Sequence, residues 1–265
     1  TNSFNNHLKK EIKEKQSFDL QCALMLEKLY LYGNHIESLN MLGKEIVSII
    51  QSSKTYTDSI SMLIIDYLDY VIKNSTSLTL DSPAIQYSIE IIKDCLKKDI
   101  VLTPKMTEFY ILYRVKELKL EKHVEQIIVS TENNKGKEAA YYLPITKTIK
   151  IFYNSFIEKC KKAFEQNLQK RNISSSKLQD SFAFLVNTTL IQSISHELSH
   201  VIDMKRINLL KDEKQNDFCI QFINNYRLRM TDAELYKKHH NNFTNENRAD
   251  LFSIIDFFPT KQINC

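Results

Sequence analysis

Two histidines four residues apart, with a glutamate after the first, can hold a metal ion and set a base beside it. The chain carries this set in Ser195-His196-Glu197-Leu198-Ser199-His200. On a helix, positions i and i+4 share a face one turn apart, so both imidazoles reach one ion and Glu197 stands next to the first. Zinc in such a place lowers the pKa of a water toward neutrality. A nearby carboxylate can take that water's proton and pass it to a leaving amine. The spacing therefore fits hydrolysis at zinc. Catalytic zinc takes three protein ligands and keeps a fourth position open. Asn245-Glu246-Asn247-Arg248-Ala249-Asp250-Leu251-Phe252 offers the third. Glu246 is expected to close the site with a carboxylate oxygen. Asp250, four residues on and so on the same helical face, is expected to accept the spare N–H of an imidazole, that of His196, and fix its tautomer. The bland alternative for Glu246 and Asp250 is a solvated helix face.

These residues need helices to carry them, and the hydrophobic periodicity supplies them. A long helix is expected over 178–202, its apolar side formed by Phe182, Leu185, Val186, Thr189, Leu190 and Ile194. Further helices are expected over 212–229 and 245–258, the last stopped by Pro259. Ahead of them, 124–129, 139–143 and 148–153 read as three strands. The last two form a hairpin around Pro144 with one partly exposed face. Tyr141 and Tyr142 on that hairpin either pack on neighbouring helices or border an edge where an extended peptide adds as a strand. Residues 1–120 read as a helical array: Phe18, Cys22, Met25, Leu26 and Leu29 recur at helical spacing, as do Leu39, Leu42, Ile46, Ile49 and Ile50. Ser82-Pro83 and Thr103-Pro104 look like helix starts, each with a capping side chain before a first-turn proline. The fold class is thus α+β, mostly α. A helical N-terminal region (1–120) for substrate docking or regulation precedes a catalytic domain with a small sheet (121–265).

Composition bounds the rest. The chain has 265 residues, 43% hydrophobic, which suits one large domain or two. With 3 Gly and 4 Pro it is too poor in turn residues for a sandwich or barrel. The net charge of +4 is dispersed, with lysines beside acids as in Lys116-Glu117. No nucleic-acid or anionic-membrane partner is expected from that pattern. The five cysteines (22, 95, 160, 219 and 265) lack any paired zinc-knuckle spacing and read as free thiols of a reducing compartment. No apolar run approaches the roughly 20 residues of a membrane span, and no signal peptide is visible.

His196-Glu197-Leu198-Ser199-His200-Val201-Ile202-Asp203, followed by Glu246-x-x-Ala249-Asp250-x-Phe252, resembles the gluzincin zinc peptidases. Among them it is similar to the family of the anthrax lethal factor catalytic domain. The resemblance covers 121–265 and leaves out the helical half. It implies a zincin-like domain in which His196, His200 and Glu246 ligate zinc and Glu197 is the base. Asp203 would buttress the site or end the helix, and an edge strand of Lys-Thr-Ile-like sequence would border the cleft. The family's oxyanion-stabilising tyrosine falls here at His239, with His240 beside it and Tyr236 one turn earlier. The resemblance therefore implies His239 or His240 in that role, with Tyr236 as runner-up. It further implies a bacterial effector or toxin, secreted and acting on a protein in the host cytosol. Two other readings stay open: a cytoplasmic regulatory zinc peptidase, and a catalytically inactive, zinc-stabilised binding module whose working part is the helical array. A retained Glu197 argues against the last, because a structural site needs no base.

Overall fold

The computed structural model describes residues 2–53, 56–132, 139–171, 178–209 and Ala249. These form an α+β fold that is mostly helical, as the sequence predicts, divided into two compact units, Thr1–Tyr113 and Arg114–Cys265.

The first unit is helical. It holds α1 (Asn2–Tyr32), α2 (Ile36–Ser52), α3 (Asp58–Lys73), α4 (Pro83–Lys97) and most of α5 (Pro104–Glu117). Each buries one stripe at helical spacing: Cys22, Met25 and Leu29 on α1; Leu39, Leu42, Ile46 and Ile50 on α2; Ile60, Leu63, Ile64, Tyr67 and Val71 on α3. Helix α2 packs against α1, α3 and α4. Gly43 lets it come close, since a Cβ there would collide with the hydroxyl of the fully buried Tyr67 and with Tyr87. That hydroxyl donates to the Ala84 carbonyl at 3.3 Å. Helix starts follow the expected logic with one correction. Thr103 Oγ1 accepts from Met106 N at 3.3 Å, a working cap. Ser82 precedes Pro83 at the first turn of α4, yet its side chain makes no cap bond and accepts from Thr79 N at 2.9 Å instead. The local turn won that hydroxyl from the helix.

The second unit contains the end of α5, then β1 (Gln126–Ser130), β2 (Ala140–Leu143), β3 (Thr148–Phe152), α6 (Tyr153–Arg171) and α7 (Leu178–Leu209). The sheet order is β1-β3-β2, with β1 parallel and β2 antiparallel to β3. This corrects one expectation. The Thr148-Ile149 strand is central, not an edge, and the edge beside it is β2. The hairpin does have the expected partly exposed face: Lys150 on β3 and Tyr141 and Leu143 on β2 are partly exposed, while Ile149, Ile151 and Tyr142 on the opposite face are buried. Parallel pairing with β1, distant in sequence, is what the local hairpin pattern could not announce. Of the two tyrosines, Tyr142 is buried with its hydroxyl on the His123 carbonyl at 2.9 Å, and Tyr141 leans on Phe152. Helix α6 packs on β1 and β3, and α7 on β2 and α6.

Candidate metal centre

Helix α7 buries Ala183, Val186, Leu190, Ile194, Leu198 and Val201, a continuous stripe at three- and four-residue spacing that seats it in the second unit. This stripe fixes where the polar residues between its members fall. His196 and His200 come out on one face, their rings 4.9 Å apart between centroids and inclined at 82°. Their Nε2 atoms are 3.2 Å apart. Two imidazole nitrogens sharing a tetrahedral zinc at its usual bond lengths stand about 3.3–3.4 Å apart, so the pair is already at ligand separation. Ring to ring, the same distance accommodates a hydrogen bond in which either nitrogen donates. His200 is 5% exposed, whereas His196 is half-buried and accessible.

Glu197 is 5% exposed, and its Oε2 is buried with no hydrogen-bond partner among the described residues. Burying a carboxylate oxygen without a donor is costly, and such an atom in a folded protein marks a catalytic role or a place for a water or an ion. One turn past His200, Asp203 is 2% exposed, with Arg206 Nη1 4.0 Å from its Oδ1. Ser195 and Ser199 are buried beside the histidines.

The two imidazole nitrogens therefore fit a zinc ion at two positions, and the residue between them in sequence, Glu197, carries a carboxylate oxygen with no partner among the described residues. Among the described residues no group of three or more His, Cys, Asp and Glu side chains is arranged to hold a metal. The expected third ligand Glu246, its companion Asp250, and the oxyanion candidates Tyr236, His239 and His240 all lie outside the described residues. Ala249, between Glu246 and Asp250 in sequence, is helical and fully buried.

The cysteines that are described, Cys22, Cys95 and Cys160, are free and buried. Burial, with Asp94 adding, pushes the Cys95 thiol up to about 12. Burial also raises Cys22 and Cys160. None of these three is poised as a nucleophile. No helix among the described residues is long and apolar enough to cross a membrane.

One contact at the site carries no sequence signature. Lys205, on α7, donates from Nζ to the Lys119 carbonyl at 3.1 Å and approaches the Leu118 carbonyl at 3.5 Å. Partners 86 and 87 residues away leave no local pattern from which to find them.

No protein-family model, curated protein or solved structure matches the chain.

Proposed function

We propose that the chain is a zinc-dependent endopeptidase of the gluzincin kind. The observation that carries this reading is the pair of Nε2 atoms 3.2 Å apart on a helix whose Glu197 carries a buried oxygen with no partner among the described residues. His196 and His200 hold the ion, and Glu246 completes its protein ligands. Zinc there supplies Lewis acidity to a scissile carbonyl and to a water. Glu197 takes a proton on a carboxylate oxygen from the attacking water and returns it to the amine nitrogen as the peptide bond breaks. An atom with no donor among the described residues can accept that proton without breaking a bond to any of them. Asp203 steadies the downstream end of the site, and Asp250 orients His196. One of His239, His240 and Tyr236 donates to the developing oxyanion. The substrate is a protein. Its placement in a host cell, cut by a secreted bacterial effector, rests on the motif resemblance alone.

The test is metal content by mass spectrometry on protein purified without added metal. Wild type should hold about one zinc per chain, and His200→Ala and Glu246→Ala should lose most of it. Wild type that cannot be loaded with zinc ends the reading. A fourth protein ligand, seen by X-ray absorption, would replace it with the structural module.

A further inference from the structure

We infer that Lys205 is the positioning residue of this centre, holding α7 in rotation so that His196 and His200 present their nitrogens at ligand separation. The inference rests on the zinc reading and deepens it. The strands of the argument are three. Two residues past the end of α5, Lys119 has a left-handed φ of 55°, a conformation that costs a residue with a Cβ. Leu120 N reaches back to the Val115 carbonyl at 2.8 Å and Lys119 N to the Lys116 carbonyl at 3.0 Å, the bonds of a helix stop. The carbonyls of Leu118 and Lys119 are left at the end of this stop, where the helix dipole is negative. The Lys205 ammonium sits against both. A charged donor on carbonyls at a helix terminus is stronger than a neutral bond. Its charge is also felt at His123, which burial, then Lys205, Lys147 and Lys122, hold below the ordinary histidine range.

The second strand is angular. At the α-helical turn, Lys205 lies roughly 160° around α7 from the midpoint of His196 and His200. It therefore grips the back of the helix while the imidazoles face the other way. The third is leverage. The contacts of α7 with α6 at Phe182–Phe164 and Thr189–Cys160 lie upstream of the histidines, and, beyond the buried Leu198 and Val201, Lys205 adds a directional polar hold downstream. An imidazole nitrogen stands about 7 Å from the helix axis, so a roll of about 10° moves it by about 1 Å. Site geometry tolerates about half that displacement.

The experiment compares zinc affinity, by competition with a chromophoric chelator, in wild type, Lys205→Met, Lys205→Arg and His200→Ala. Far-UV circular dichroism and Tm are recorded on the same samples. Lys205→Met keeps the stem and removes the charge. It should bind zinc about tenfold more weakly, the effect of losing a group that orients a metal ligand, with its fold intact at the assay temperature. Lys205→Arg, which can still donate to both carbonyls, should return to within twofold of wild type. A merely structural lysine would lower Tm and leave the affinity of the folded protein unmoved. Lys205→Met binding within twofold of wild type overturns the inference while leaving the zinc reading standing. Wild type that binds no more zinc than His200→Ala overturns both. Should Lys205→Met fail to fold, Lys205→Gln is judged by the same thresholds.

Discussion

Replacing Glu197 by methionine should make the protein more stable in chelator and, on the proposed reading, abolish peptidase activity. Glu197 is 5% exposed and its Oε2 has no partner among the described residues. A buried acceptor left unsatisfied costs about 1–3 kcal/mol. Methionine fills nearly the same volume with no oxygen to satisfy and is a better helix former than most. The neighbours Leu198, Ile194 and Val201, all fully buried, are apolar and suit its side chain. The gain should therefore approach 1–3 kcal/mol, which for a domain of this size is a rise in Tm of about 2–4 °C per kcal/mol. The assay is thermal unfolding in chelator, wild type beside variant, with zinc binding measured in parallel. On the proposed reading zinc content should be preserved, because Glu197 is there the base and not a ligand. A loss of 2 kcal/mol or more on substitution would refute the reasoning: it would mean that the carboxylate makes structural bonds and is not held in reserve. Stability gained where activity is lost is the usual mark of a residue kept for chemistry.

Three further outcomes follow from the packing. Gly43→Ala should destabilise the first unit by about 1–3 kcal/mol, because the new Cβ meets Tyr67 and Tyr87 and overpacking outweighs alanine's better helix propensity; a raised Tm would contradict the close approach. Lys119→Gly should stabilise by about 1 kcal/mol by relieving a φ of 55°, and chelator competition should show zinc affinity unchanged, since the carbonyl that Lys205 uses is retained. Asp69 is desolvated, which raises its pKa, but Lys73 and Lys105 outweigh this and leave it below the ordinary 3.8. A lowered carboxylate stabilises above its unfolded value and loses that contribution as pH falls through the folded one. Asp69→Asn should thus cost about 0.5 kcal/mol at neutral pH and almost nothing once the acid is protonated, below the ordinary carboxylate range; an equal cost at both, by denaturant unfolding, would show that the ion pairs are idle.

The helical half was legible because its signals are local. Apolar residues at three- and four-residue spacing must share a face, and Tyr67, Leu63 and Ile64 are buried for the reason that their spacing gives. The same holds for the histidine pair: an i, i+4 spacing on a helix is enough to bring His196 and His200 onto one face. Other features were not legible. Ser82 had two possible partners within four residues, and only the folded turn decided between them. The strand at Thr148 read as an edge because a hairpin pattern records its antiparallel neighbour and not a parallel one arriving from residue 126.

The sequence by itself determined the helical class, the existence of three strands and the placing of His196 and His200 on one helical face, since all of these follow from residue type and period along the chain. Tertiary structure alone decided that β3 is central, that Glu197 Oε2 is buried without a donor among the described residues, and that Lys205 crosses to the turn after α5. Each of these depends on which distant segments meet, and burial or a long-range hydrogen bond has no period in the sequence to betray it.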